Sequence, residues 1–267
     1  MTIPSPQPSQ PPQSSQSSQS SQLPQVAQTA QFDSFLTNLT YARRMVDAGK
    51  ILEALSPRGV DTEDFYRAAW VQAIGALEHW VQEETLRRVT EEAVKASPDM
   101  PRRLREYPLP LHRMEAVQRG EVRLADAVVE RIREDVAYRA LQNPDAIAKM
   151  MALATDAKVW REAAKWVNRR FRHRTSFDEK SLRGKYVTLL RRRNQIAHEA
   201  DLLDGDHTRR RPLTAAEAGD AIDWIEHIAL ALARALHGEP AGSTRAAGVP
   251  AQGGEAAAPQ PPAQAGT

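Results

Sequence analysis

The chain has 267 residues, no cysteine and a formal net charge of only +2, from 36 Lys and Arg against 34 Asp and Glu. The absence of thiols excludes disulfides, thiolate zinc sites and cysteine nucleophiles, and fits a reducing, cytoplasmic setting. No apolar run is long enough to span a bilayer, and no Lys or Arg precedes a continuous apolar stretch near the start, which argues against a secretory signal and a membrane partner.

Residues 1 to 31 are dominated by Gln, Ser, Pro and Thr and carry no charge, so they cannot bury enough apolar surface to offset chain entropy. This predicts a disordered tail. A helical domain is expected over 32 to 237, where nearly every segment has the helical period and none alternates as a strand would. Phe32, Phe35, Leu36, Leu39, Ala42, Met45 and Val46 mark a first helix, closed near Gly49 or at Ser56-Pro57-Arg58-Gly59. A second and longest helix starts around Thr62 to Asp64, carries Tyr66, Ala69, Trp70, Ala73, Ile74, Leu77, Trp80 and Val81, and continues toward Val94 before Ser97-Pro98 stops it. Pro98, Pro101, Pro108 and Pro110 then impose an irregular connection. Leu124, Val128, Ile132, Val136 and Leu141 describe another helix ending at Gln142, and Asn143-Pro144 reads as an N-cap with proline at the first helical position.

From Ala146 through Val167 the pattern predicts two helical pieces, with Trp160, Ala163, Ala164 and Val167 on one apolar face. After the Arg169 to Arg174 cluster, Ser176 to Lys180 reads as a helix start, and the helix continues through Leu182, Tyr186, Leu189, Leu190, Ile196 and Ala197 toward Asp201. Asp204-Gly205-Asp206 ends it. Thr214-Ala215-Ala216-Glu217 is a capping box opening a last helix with Ile222, Ile225, Ala229 and Leu232 inward. From Gly238 the Ala, Pro and Gly content predicts a second disordered tail, 238 to 267. The fold class expected is all-α, a helical bundle with two tails.

The charge is uneven. Lys158 to Arg211 holds 16 Lys or Arg against 7 Asp or Glu, a local charge of +9, which leaves −7 on the rest. Such a basic stretch is either an electrostatic footprint for a polyanion or a set of solvated helix faces.

Chemistry concentrates in Leu189-Leu190-Arg191-Arg192-Arg193-Asn194-Gln195-Ile196-Ala197-His198-Glu199. At about 100° per residue, Asn194, His198 and Arg191 share a polar side of the helix. Arg193 instead falls in the apolar stripe, where a guanidinium requires a partner. Glu78, inside the apolar run Ile74-Gly75-Ala76-Leu77-Glu78-His79-Trp80, is the matching anomaly, and a bidentate Arg193–Glu78 contact is expected.

Arg193-Asn194-Gln195-Ile196-Ala197-His198 resembles the Arg-Asn-three-residue-His signature of HEPN ribonucleases, and the order of elements is similar to the branch called RiboL-PSP-HEPN. Ala73 to Trp80 looks like that branch's first long helix and Ala221-Ile222-Asp223-Trp224-Ile225 like its closing helix, so the likeness covers Tyr66 to Leu236. The segment around Pro98 to Pro110 and the tails depart from it. The resemblance implies metal-independent RNA cleavage through the ribose 2′-hydroxyl, by a homodimer that brings two motifs together, in a toxin or phage-defence setting with an antitoxin or defence-system partner. It implies no cofactor. His198 would be general base or acid, Arg193 would neutralise charge at phosphorus, and Asn194 would hydrogen-bond the substrate or orient the imidazole. Arg191 and Arg192, with Arg169, Arg170, Arg172 and Arg174, would grip the RNA backbone.

The competing reading is a non-catalytic helical module that binds RNA or a protein partner with the same basic face. The histidines at 79, 112, 173, 207, 227 and 237 show no metal-ligand spacing and are assigned no role, Glu199 and Asp201 are read as solvated carboxylates, and the tryptophans as core.

Overall fold

The computed structural model describes residues 29 to 238 apart from 57, 96, 97, 138–140 and 142, and without the side chains of Ala137 and His207. The expected tails lie outside the described residues except at their inner edges. There the boundary moves: Thr29 is the N-cap of the first helix, its hydroxyl accepting from Phe32 N, so the domain starts before Phe32.

The order is α1 (Ala30–Leu55), α2 (Glu63–Lys95), α3 (Arg102–Arg105), α4 (Leu111–Gln118), α5 (Leu124–Ala137), α6 (Pro144–Met151), α7 (Val159–Arg170), α8 (Glu179–His198), β1 (Leu202–Leu203), β2 (Asp206–Arg210) and α9 (Ala215–His237). The fold is all-α, with a short antiparallel hairpin among the described residues pairing Leu202 with Arg210 and Leu203 with Asp206. No described helix is long and apolar enough to cross a membrane.

Local chemistry explains most boundaries. The Asn143 side chain accepts from Ala146 N at 2.8 Å with Pro144 opening α6, and reciprocal capping boxes start α8 (Asp178 with Ser181) and α9 (Thr214 with Glu217). Helix α1 runs through Gly49 and ends at Ser56 in the left-handed region, φ 47°. Gly49 is there because a side chain would collide with the buried Tyr66 ring of α2.

Three expectations change. Helix α4 was not anticipated in the Pro-rich connection, since none of its residues is buried and its apolar spacing is weak. Leu141 lies beyond the end of α5, and it reaches the core from the connection rather than from the helix; Gln142 is outside the described residues. In α9 the apolar stripe is wider than one face, because Ile228, Leu230, Ala231 and Ala233 are buried as well. That helix is packed by α1 and α2 on one side and α7 on another, so burial replaces amphipathicity.

Phe32, Phe35 and Trp80 pack with centroids 5.4–6.0 Å apart, closing α1 on α2. Nearby, both ends of the domain meet one carboxylate. Glu84, fully buried, accepts from Thr29 Oγ1 at 2.8 Å and from Arg87 at 2.6 Å, and pairs with His237 Nε2 at 3.0 Å. Burial alone would raise its pKa, but the bonds from His237, Arg87 and Thr29 pull it down to about 2. Because the folded pKa lies below the unfolded one, this stabilisation is present above about pH 4.5 and is lost as pH falls toward 2. It amounts to roughly 3 kcal/mol at neutral pH. Glu84→Gln should therefore lower stability at pH 7 and flatten the acid limb between these pH values, as read by denaturant titration at several pH values; an unchanged acid limb contradicts the assignment.

Candidate functional site

Helix α8 buries Leu182, Tyr186, Leu189 and Leu190 against the core, and the motif forms its last turn and a half. Along this stripe Arg193 is only 15% exposed. Its Nη2 meets Glu78 Oε2 at 3.0 Å, and Glu78 is likewise 15% exposed. The contact is through one oxygen rather than two: Glu78 Oε1 is buried without a hydrogen-bond partner among the described residues. The second arm of the guanidinium is taken instead by Asn194, whose Oδ1 accepts from Arg193 Nη1 at 3.0 Å. Asn194 is thus tied to the arginine rather than to the imidazole.

Burial pushes the Glu78 carboxyl above its usual range, against the opposing pull of the Arg193 charge and hydrogen bond. The pair consequently loses its negative member at a higher pH than an exposed glutamate would. The Tyr186 hydroxyl, buried and without a hydrogen-bond partner among the described residues, is raised far beyond the phenol range, by burial first and by the Glu78 charge second. Its ring rests on Trp160 at 5.6 Å, which fixes the wall behind the pair. From α2, the Trp70 Nε1 donates to Leu189 O at 3.1 Å, a second tie between the two helices.

His198 is exposed at the end of α8, and its imidazole has no hydrogen-bond or ion-pair partner among the described residues. The chain then turns through Ala200 (φ 50°) and Asp201 (φ 58°), both left-handed, with Asp201 N donating back to Gln195 O at 2.9 Å. Asp201 is not solvated. It is 1% exposed and bridges two arginines, accepting from Arg67 Nε at 2.8 Å and pairing with Arg192 Nη1 at 2.6 Å. Arg67 also holds Glu63 at 2.7 Å and the Arg211 carbonyl at 2.8 Å. This clamp joins the end of α8 to the start of α2 and to the segment after the hairpin.

The clamp changes the expected RNA-gripping set. Arg192 is 15% exposed and turned inward to Asp201 and the Pro212 carbonyl, so its charge is committed within the fold. Arg191 stays exposed beside Asn194 and His198 with no ion pair among the described residues. Arg169 and Arg170 close α7, and Arg172 and Arg174 lie in the turn leading to α8; all four are exposed. That turn sits at the opposite end of α8 from His198. Helix α8 itself, twenty residues at 1.5 Å each, is about 30 Å long, so the turn and His198 lie toward its opposite ends. Arg183, Arg209, Arg210 and Arg211 are likewise engaged, with Asp145, Asp206, Asp64 and Asp204, so the formal +9 overstates the free positive charge.

Sequence reasoning missed Arg67 and the role of Asp201. The signal for Arg67 was present: it shares a stripe of α2 with Trp70, Ile74 and Glu78, the same displacement of charge that singled out Arg193. Among the described residues no three His, Asp or Glu side chains stand together as a metal site. Comparison with family models, with curated proteins and with solved structures found no match for this chain.

Proposed function

We propose that this chain is a HEPN-type endoribonuclease that cleaves RNA without a metal, acting as a homodimer in a toxin or phage-defence role. The observation that carries the reading is the part-buried Arg193–Glu78 pair at 3.0 Å, with Asn194 on its second arm and the open imidazole of His198 at the helix end. A guanidinium fixed on one side by a carboxylate keeps its remaining donors pre-aimed, which suits it to charge that builds on phosphorus in the transition state. In the reaction, the ribose 2′-oxygen forms a bond to phosphorus as its proton passes to a base. The bond to the 5′-oxygen breaks as that oxygen takes a proton from an acid, leaving a 2′,3′-cyclic phosphate and a 5′-hydroxyl. An imidazole serves either step because it titrates near neutrality. One chain supplies one imidazole; a second copy supplies the other. An antitoxin or defence-system partner belongs to the same proposal.

Arg193→Ala should abolish cleavage of RNA in EDTA by the purified chain while helical circular dichroism persists. Retained cleavage in that variant refutes the role of the pair. The placement of the Arg169 to Arg174 cluster toward the other end of α8 from His198 favours a second reading, a non-catalytic module that binds RNA through that cluster. Salt-sensitive RNA binding without products would support it.

A further inference from the structure

A cleft of about 430 Å³ is lined by the Pro-rich connection, α5 and α6. Its floor is apolar: Val136, Leu141, Met150 and Leu153 border it and are almost wholly buried. Ala146, Lys149, Met150 and Leu153 recur at three- and four-residue spacing, so α6 and the turn after it present one side to the cleft. The connection is anchored by buried Leu104 in α3 and by the Tyr107 hydroxyl, which donates to Asp135 on α5. Arg103, the residue before the first of these anchors, borders the cleft from that side.

The charges around this cleft are unevenly committed. Both carboxylates that border it are taken: Asp135 by the Tyr107 hydroxyl and by Arg131 at 2.8 Å, and Asp145 by Arg183 of α8. Both cations are not. The side chains of Arg103 and Lys149 are exposed and make no ion pair or hydrogen bond among the described residues. Two free positive charges over an apolar floor match a ligand with a dianionic head and an apolar body, in a cleft within the range of about 300–1,000 Å³ that holds small molecules. A phosphate monoester carries a charge of about −1.5 to −2 at neutral pH, whereas a carboxylate carries half as much. The guanidinium fork can take two phosphate oxygens and the ammonium a third. We propose that this cleft binds a small phosphate monoester with an apolar, ring-sized body, the phosphate held by Arg103 and Lys149 and the body resting on Val136, Leu141, Met150 and Leu153. The site is separate from the motif and does not rest on the ribonuclease reading. Arg183, which ties the cleft wall to α8, is about 22 Å along the helix axis from His198.

The test is calorimetric titration of the full chain with naphthyl phosphate, which should bind saturably. Inorganic phosphate lacks the body and naphthol lacks the charge, so each should bind at least about 10-fold more weakly. Arg103→Gln and Lys149→Gln should each weaken naphthyl phosphate binding by about 10- to 100-fold. Both positions are exposed, so the melting temperature should not move and the loss cannot be blamed on unfolding. Arg133→Gln is the control, an exposed arginine of α5 outside the cleft and without a side-chain partner among the described residues, and it should leave binding unchanged. Binding that survives both cleft substitutions, or that falls as far with Arg133→Gln, would mean that diffuse surface charge holds the anion, and overturns the assignment. Inorganic phosphate binding as tightly as naphthyl phosphate overturns it as well, because the apolar floor would then have no part. So does the absence of saturable binding by folded protein.

Discussion

His198→Ala is expected to lower RNA cleavage by about 10²- to 10⁴-fold, the range by which a positioned acid or base contributes. The melting temperature should stay within about 1–2 °C of wild type. The second half of this expectation follows from placement. His198 is exposed, ends its helix and has no side-chain partner among the described residues, so its removal leaves no cavity and no unpaired charge. A loss of cleavage there cannot be blamed on unfolding. Cleavage by His198→Ala at the wild-type rate, measured with labelled RNA under chelation, would remove the imidazole from the chemistry.

Asp201→Ala should do the opposite in kind, destabilising the fold by about 3–5 kcal/mol and lowering the Tm by about 6–20 °C. The carboxylate is 1% exposed and holds two guanidinium groups at 2.8 and 2.6 Å. Without it Arg67 keeps Glu63, but Arg192 retains only backbone carbonyls. An inward-facing arginine without a carboxylate carries most of the cost. The end of α8 would loosen together with the turn that follows, and Arg193 and His198 with it, so cleavage should fall alongside stability. Thermal unfolding followed by circular dichroism checks this. A melting temperature unchanged to within about 2 °C would mean that the surrounding groups satisfy both arginines without Asp201.

What could be read from sequence was what depends on near neighbours. Asn143-Pro144 and Thr214 with Glu217 act within three residues, and the structure has them as caps. Glu78 and Arg193 are 115 residues apart, yet each betrays itself by sitting in an apolar stripe, and two such misplaced charges of opposite sign suggest each other. Asp201 offered no such sign. It follows the helix end, where a carboxylate is ordinarily solvated, and its burial is created by Arg67, 134 residues away, and by the hairpin folding back. The placement of the Arg169 to Arg174 cluster relative to His198 could not be read from a basic stretch of sequence, because it is set by helix α8, whose 20 residues lie between them. Partly buried Trp70 and Trp224 pack against the core with the same spacing as fully buried residues, and only packing distinguishes an indole that is covered from one that borders a cleft.

The most direct test of the account is the chemistry of the ends it leaves. Purified chain incubated with RNA in EDTA should yield fragments bearing 2′,3′-cyclic phosphate and 5′-hydroxyl ends, detected by their resistance to ligation until the cyclic phosphate is removed to leave a 3′-hydroxyl and the 5′ end is phosphorylated. Fragments with 5′-phosphate and 3′-hydroxyl ends, or RNA left intact by folded protein, would contradict it.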